Sequence, residues 1–363
     1  MYKRPSGYVL ILLSVFLIGG SIVVFMHWKE NMRKSQTPST EQFIEQYMTN
    51  ANGTLASYLK AGTSTVPEIV AGREALSESV GLWMQYALLK QDKSLFDSGY
   101  ELLKSKFIKP EGYIAWKLEE DGQSNVSTNA LGDDFRIIDV LWKAADQWDE
   151  ESYSVTADEL SRTLVSSVMK DGMFVDFRDF ANDHAAGTLS LAYVDMSALS
   201  NMTRSGVLEQ SVYERHKRLL TDMPDDGVFY PKMYDIDKKT YIYDDSVNLI
   251  DQLLVALNCA QIGRSSDQLL TFLKTEFGQK HQIPGRYNRD TRLPDAPYES
   301  PAVYGLSVLL ALKSGDTEFA RQLYDRMLQF RGQDPAYPGG YVFDKDTHLF
   351  DNLLPLIAEE TMN

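Results

Sequence analysis

One type of connection recurs along most of this sequence: a glycine, then a short aromatic or apolar stretch, then acidic residues. It occurs at Gly112 (GYIAWKLEEDG), Gly172 (GMFVDFRDF), Gly227 (GVFYPKMYDID), Gly285 (GRYNRDTRLPD) and Gly340 (GYVFDKDTH). Successive glycines are 60, 55, 58 and 55 residues apart, and a spacing this regular indicates an internal structural repeat. The chain must therefore fold as a series of similar units of that length.

Helical periodicity dominates between these connections and strand patterns are scarce, which predicts about twelve helices. The predicted spans are 41–60, 74–90, 92–107, 129–148, 151–170, 188–201, 205–222, 245–262, 264–277, 300–314, 316–331 and 349–360. They form pairs, in which a long glycine connection lies within each pair and a short link joins one pair to the next. The chain beyond residue 40 is thus expected to be a set of helical hairpins.

Six such hairpins can close into a ring, and the sequence predicts an all-α fold of this kind, the (α/α)6 toroid. The second helix of each pair is apolar on nearly all sides, as in SVGLWMQYALL and AVYGLSVLLAL. A helix of this composition is covered all round, as an inner helix must be. An open helical solenoid is the alternative, and the apolar second helices favour closure.

The N-terminus carries an apolar segment, Tyr8 to Met26, of 19 residues without a charge. This length is enough to span a bilayer. No small-residue cleavage site follows it, so we predict an uncleaved transmembrane signal anchor over residues 1–28, with a removed signal peptide as the alternative. Residues 29–40 are predicted to be a polar tether, and residues 41–363 a single barrel domain outside the cell.

Composition narrows the possible partners. The chain has 36 Lys and Arg against 51 Asp and Glu, a formal net charge of −15, and no basic cluster beyond its N-terminal flank. This balance disfavours nucleic acid and suits neutral or cationic substrates. Cys259 is the only cysteine, which rules out a disulfide within the chain and a cysteine-based zinc site. The five histidines have no metal-binding spacing, so neither metal nor cofactor is expected.

If the second helices line the ring, their N-termini open on one face, and acidic and aromatic residues concentrate there. The acids are Glu78, Asp133, Asp134, Asp244, Asp245, Asp290, Asp295, Glu299, Asp344, Asp346 and Asp351, and the aromatics are Trp83, Trp116, Tyr230, Tyr234, Tyr241, Tyr243, Tyr287, Tyr298 and Tyr341. Acids also favour helix starts for capping alone. Aromatic faces stack on sugar rings and carboxylates bind hydroxyls, so the combination predicts a carbohydrate cleft.

Hydrolysis of a glycosidic bond by inversion needs one protonated carboxylic acid and one ionised carboxylate, with room for a water molecule between them. Glu78 lies on an apolar helix, where desolvation raises the pKa of a carboxyl group, and so suits the acid. Asp244 or Asp245, in the polar segment YIYDDS, suits the base that activates water.

Three segments resemble glycoside hydrolase family 8. SESVGLWM (77–84) is similar to the family's S-E-G-x-G-Y-G-M motif, which implies that Glu78 is the general acid. NALGDDFRIIDVLWKAADQW (129–148) resembles the helix with A-[ST]-D-[AG]-D, which implies that Asp134 binds substrate near the cleavage point. YDDS (243–246) is similar to Y-D-A-S-R-x-P-W, which implies that Asp244 is the general base.

The resemblance extends over about residues 40–360 and implies the (α/α)6 barrel fold of that family. This sequence departs from the motifs at several positions. Gly132 stands where the family has its first aspartate, and Val247 and Leu249 stand where it has an arginine and a proline. Ser79 and Trp83 replace two glycines. The pattern is similar to a divergent, membrane-anchored branch associated with bacterial exopolysaccharide.

Together these features predict an extracellular, membrane-tethered, inverting endo-glycosidase of a bacterial polysaccharide, with β-1,4-linked glucan, glucosamine polymer or exopolysaccharide as substrate. The residues expected to bind substrate are Asp133, Asp134, Asp245, Trp83, Trp116, Tyr243, Tyr287 and Tyr298. Asp245 and Asp290 are alternatives to Asp244 as the base. The alternative function is a catalytically impaired glycan-binding protein that serves the machinery of exopolysaccharide synthesis or export.

Overall fold

The structure is a computed structural model that describes residues 39–66 and 68–363. The predicted signal anchor, 1–28, and residues 29–38 of the predicted tether lie outside the described residues. Among the described residues, none of the helices combines the length and the apolar character that a membrane span requires.

The described residues contain twelve α-helices, as the periodicity predicted. In chain order they are α1 (Thr40–Tyr47), α2 (Ser77–Leu89), α3 (Lys93–Leu102), α4 (Leu131–Trp148), α5 (Glu151–Ser167), α6 (Met196–Arg204), α7 (Gln210–Thr221), α8 (Leu249–Gln261), α9 (Asp267–Lys280), α10 (Pro301–Lys313), α11 (Thr317–Leu328) and α12 (Phe350–Met362).

The even-numbered helices form a closed ring. Each packs against the next, from α2 through α10 to α12, and α12 packs back against α2. The outer helices α3, α5, α7 and α11 each pack against the inner helix before them, and α1 packs against α12. This closure is the arrangement of an (α/α)6 toroid and excludes the open solenoid.

The composition of the inner helices explains their position. Ten of the thirteen residues of α10 are buried, as expected for a helix with neighbours on all sides. Gly305 lets α10 approach α12 closely, because a Cβ atom there would lie 2.9 Å from the main-chain carbonyl of Leu354. The lone cysteine, Cys259, is buried on the inner helix α8.

The connections within the pairs contain short antiparallel strands that helical periodicity did not predict. They are β1 (Ala75–Leu76), β2 (Lys117–Leu118), β3 (Met169–Lys170), β4 (Met173–Phe174), β5 (Arg178–Asp179), β6 (His184–Ala185), β7 (Thr188–Ser190), β8 (Met233–Asp235), β9 (Thr240–Ile242), β10 (Ser246–Asn248) and β11 (Arg286–Asn288). The sheets pair β1 with β2, β3 with β4, β5 with β6 and β10 with β11, and a three-stranded sheet has β8 between β7 and β9. The β1–β2, β7–β8 and β10–β11 pairs link neighbouring connections, whereas β3–β4 and β5–β6 are hairpins within one connection.

Two predicted helix boundaries differ most from the structure. The helix predicted over 41–60 ends at Tyr47, and the chain continues as turns and isolated bridges. The helix predicted over 188–201 begins only at Met196, because Asp195 caps it by accepting hydrogen bonds from Ser197 N and Ala198 N. The residues before Asp195 form β7 and a short 3-10 turn. Pairing between distant connections therefore overrides local helical preference on this face.

Candidate active site

Glu78 lies in the first turn of α2, at the face where the inner helices begin. The start of α2 is fixed by β1 and β2, since Ser77 N donates to Trp116 O at 3.0 Å. No side chain caps α2, so Glu78 does not serve as its cap. Burial raises the pKa of Glu78 to about 7, the negative charge of Asp133 adds to the rise, and Arg136 opposes it. Part of the side chain still reaches solvent, so Glu78 can hold a proton at neutral pH and meet a ligand.

Asp133 and Asp134 are adjacent on α4 but face different surroundings. Ser77 Oγ donates to Asp133 Oδ2 at 2.7 Å, and Arg136 Nη1 donates to Asp133 Oδ1 at 2.9 Å. Asp134 is 2% exposed and accepts a hydrogen bond from Asn129 Nδ2 at 2.6 Å. Burial raises the pKa of Asp134 well above its usual value. Adjacent helical residues point about 100° apart, so only one of the pair faces Glu78.

Tyr193, in the 3-10 turn before α6, was not singled out by the sequence. Its ring lies directly on Gly132, where an added Cβ atom would come within 2.6 Å of the ring. The place of the family's first aspartate is therefore occupied by a tyrosine from another connection. Tyr193 remains 37% exposed and, with Gly132, lines a cavity that residues of the inner helices enclose.

Four carboxylates surround Tyr193. Burial raises the pKa of Tyr193, and the negative charges of these groups raise it further; they are Asp133, Asp176, Glu78 and Asp251. They come from four separate connections or helix starts, which the closed ring brings together. Asp176 and Asp251 were not predicted as site residues, although Asp176 lies within the recurring glycine connection and could have been found by aligning its copies.

Asp176 and Asp251 differ in how they are held. Asp176 accepts hydrogen bonds from Thr188 Oγ1 at 2.8 Å and Ser190 N at 2.5 Å, while burial raises its pKa. Burial also raises the pKa of Asp251, Lys232 opposes the rise, and the charge of Asp244 adds to it. Asp251 thus lies between the cluster around Tyr193 and the segment that carries Asp244.

Asp244 is held by an arginine that the sequence motif did not indicate. Arg289 Nη2 donates to Asp244 Oδ1 at 2.8 Å and Arg289 Nε donates to Asp244 O at 2.7 Å. Val247, where the family has an arginine, is fully buried in β10. The other candidate bases, Asp245 and Asp290, are exposed.

The aromatic residues expected to bind substrate divide between the open face and the core. Tyr243 is 43% exposed and Tyr298 is 54% exposed, and Trp116 is half-buried beside Ser77. Trp83 instead packs against Tyr86 in the core.

Tyr287 is fully buried and donates from its hydroxyl to Glu276 Oε2 at 3.1 Å. Trp83, Tyr287 and Asp134 were expected to bind substrate, and the structure places them in the core instead. Each of these three side chains lies on the face of its helix or strand that packs into the core.

Within residues 39–66 and 68–363, no group of three His, Cys, Asp or Glu side chains is arranged to hold a metal ion. The carboxyl groups and the phenol of the cluster around Tyr193 can exchange protons with a ligand.

The chain has a relative in Bacillus subtilis. It is 37% identical over 290 residues to "Putative lipoprotein YdaJ" of Bacillus subtilis (strain 168), which covers 79% of this chain and 79% of the relative. No protein-family model matches the chain.

Solved structures share the fold over nearly the whole described chain. A novel alpha-amylase from Clostridium perfringens has a TM-score of 0.82 at 23% identity, covering 90% of this chain and 97% of that one. PssZ from Listeria monocytogenes has a TM-score of 0.72 at 25% identity, covering 89% and 94%. A family 8 glycoside hydrolase from Teredinibacter turnerae, in complex with xylobiose, has a TM-score of 0.60 at 17% identity, covering 88% and 91%.

Proposed function

This chain belongs to the family of the Bacillus subtilis lipoprotein YdaJ, a divergent family with the fold of glycoside hydrolase family 8, and we propose that it is itself a polysaccharide hydrolase. The observation that carries the proposal is the raised pKa of Glu78. At about 7, it leaves this carboxyl group partly protonated at neutral pH, although other acidic side chains lie nearby. A general acid needs this property.

In the proposed reaction Glu78 donates its proton to the oxygen of the leaving sugar. Asp244, oriented by Arg289, removes a proton from a water molecule that attacks the anomeric carbon from the opposite side. The products are two shorter chains, the new reducing end having inverted configuration. Asp133 is the second candidate base, because it lies near enough to Glu78 to raise its pKa and its two oxygens are held by Ser77 and Arg136.

The exposed rings of Tyr243 and Tyr298, with Trp116 and Asp245, are proposed to bind sugars along the open face. The substrate range includes β-1,4-linked glucan, xylan, glucosamine polymers and bacterial exopolysaccharide. α-1,4-linked glucan belongs in the same range, because the Clostridium structure is an alpha-amylase.

We place the domain outside the cell and tethered to the membrane, in keeping with the lipoprotein name of the relative. Because Cys259 is buried in α8, the proposed anchor is the apolar segment 8–26 rather than a lipid. Exopolysaccharide synthesis is the process that such a location would serve. Protease treatment of intact cells should digest the barrel domain if this placement is right.

The test is release of reducing ends from this panel of polymers by the unaltered protein and by Glu78→Gln. The variant should lose nearly all activity, and Glu318→Gln, an exposed first-turn glutamate of α11, should keep it. Nuclear magnetic resonance of the first product formed should show inverted configuration. Equal activity of Glu78→Gln and the unaltered protein would remove Glu78 from the mechanism.

One observation favours a second function, binding of a glycan without hydrolysis. Gly132 replaces the first aspartate of the family motif, and Tyr193 occupies its space. If the chemistry has been lost, the protein should bind a glycan equally well before and after Glu78→Gln and Asp244→Asn, while the unaltered protein hydrolyses none of the glycans it binds. Hydrolysis of any of them by the unaltered protein would exclude this alternative.

A further inference from the structure

A cavity of about 560 Å³ adjoins the carboxylate cluster, between the starts of α8, α10 and α12. Asn248 and Arg286, paired across β10 and β11, line one edge of it, and Asp351 in the first turn of α12 lines another. It lies near the cluster, since the cavity residue Arg286 is close enough to Asp251 for its positive charge to oppose the rise in the pKa of that carboxyl group. We call it the α8–α12 cavity.

One wall of the α8–α12 cavity is built from phenylalanine. The rings of Phe330 and Phe343 lie 5.9 Å apart at 57°, and Phe350 also lines the cavity. Phe343 leaves 43% of its side chain exposed. Phenylalanine cannot exchange hydrogen bonds with sugar hydroxyls as tyrosine or tryptophan can. This wall therefore suits an apolar group on the ligand rather than another hydroxyl.

The remaining edges of the cavity carry polar groups that are free to bind. Among the described residues, the Arg286 guanidinium and the Asn248 amide nitrogen donate to no other group; Asn248 uses only its oxygen, which accepts from Ile250 N at 3.0 Å. Asp351 Oδ1 accepts hydrogen bonds from Ser300 Oγ at 2.6 Å and Ala302 N at 3.2 Å. Within the same described chain, Asp351 Oδ2 has no donor.

An apolar wall, two free donors and one free acceptor match the parts of an acetamido group: a methyl, a carbonyl oxygen and an N–H. We propose that the α8–α12 cavity binds the acetamido group of an N-acetylated amino sugar in the polysaccharide. The methyl group lies against Phe330 and Phe343, the carbonyl accepts from Arg286 or Asn248, and the N–H donates to Asp351 Oδ2. This inference rests on the proposed function, because it names the sugar class that occupies the cleft.

Other substituents fit the cavity less well. A free amine can pair with Asp351, but it lacks the methyl group that would cover the phenylalanine wall and the carbonyl oxygen that would accept from Arg286 or Asn248. An unsubstituted hydroxyl leaves the phenylalanine wall uncovered. An O-acetyl ester keeps the methyl and carbonyl but offers no proton to Asp351, so it should bind between the two extremes.

The experiment is saturation-transfer difference NMR with Glu78→Gln, which removes turnover. The probes are N-acetylglucosamine, N-acetylmannosamine and N-acetylgalactosamine, each compared with its free amine and with glucose. At least one acetamido sugar should bind, with the strongest transfer to its methyl protons. Phe343→Ala should weaken that binding about tenfold, as expected for losing most of one apolar contact surface. Arg286→Ala should weaken it too.

The matched control is Phe177→Ala, an exposed phenylalanine that does not line the cavity; it should leave binding unchanged. Equal binding of glucose and the acetamido sugars, no binding of any probe, or undiminished binding by Phe343→Ala would each overturn the inference. Hydrolysis is measured separately with the unaltered protein. Turnover without acetamido preference would leave the proposed function standing alone, and acetamido preference without turnover would leave only the cavity assignment.

Discussion

Replacing Glu78 with glutamine is expected to stabilise the folded protein, increasingly so as the pH rises. Burial and the charge of Asp133 raise the pKa of Glu78 from 4.5 to about 7. Between these two values the folded state keeps a proton that the unfolded chain releases, so the unaltered protein loses stability as the pH rises through that window. Glutamine imitates the protonated side chain at every pH and removes this loss.

The size of the effect follows from the two pKa values. Glu78→Gln should gain about 1 kcal/mol in free energy of unfolding at pH 5 and about 3 kcal/mol at pH 7 and above, where the gain levels off. For a domain of this size, 3 kcal/mol raises the thermal midpoint by about 4 °C.

The assay is urea and thermal unfolding of both proteins from pH 5 to pH 8, with Glu318→Gln as the exposed control. The control should shift the midpoint by the same small amount at every pH. This measurement needs no substrate, so it tests the environment of Glu78 independently of activity. The reasoning would be refuted if the gain in free energy of unfolding from Glu78→Gln did not grow with pH.

Two further predictions follow from other contacts. Glu78 must be protonated to act as the acid, and the charge of Asp133 raises its pKa whereas the charge of Arg136 lowers it. Asp133→Asn should therefore move the alkaline limb of the pH–activity profile to lower pH, and Arg136→Gln should move it to higher pH. Alkaline limbs that stay in place would contradict this prediction. Lys117→Met should destabilise the fold by about 3–5 kcal/mol in urea unfolding, because it removes the ammonium that lies 3.0 Å from the buried Glu74 carboxylate. The double variant with Glu74→Leu should recover most of that loss of stability. A loss below about 1 kcal/mol for Lys117→Met would contradict the prediction.

The sequence was sufficient for the architecture because its signals are local and repeated. Periodic apolar residues defined the twelve helices, and the recurring glycine connections defined the pairs. Apolar composition on all sides separated inner from outer helices. The same local argument located Glu78, since a carboxyl group in the first turn of an apolar helix is desolvated wherever that helix packs.

Only the tertiary structure decided how the site is assembled around Glu78. The motif implied Asp134 as the substrate residue, but the rotation of α4 turns Asp133 toward Glu78 and Asp134 into the core. Arg289 reaches Asp244 from a connection more than forty residues away in sequence, and Tyr193 fills the space above Gly132. Such contacts depend on the register between neighbouring helices and on pairing between distant connections. The spacing of residues in the sequence does not specify this register or this pairing, because both are fixed only when the ring closes.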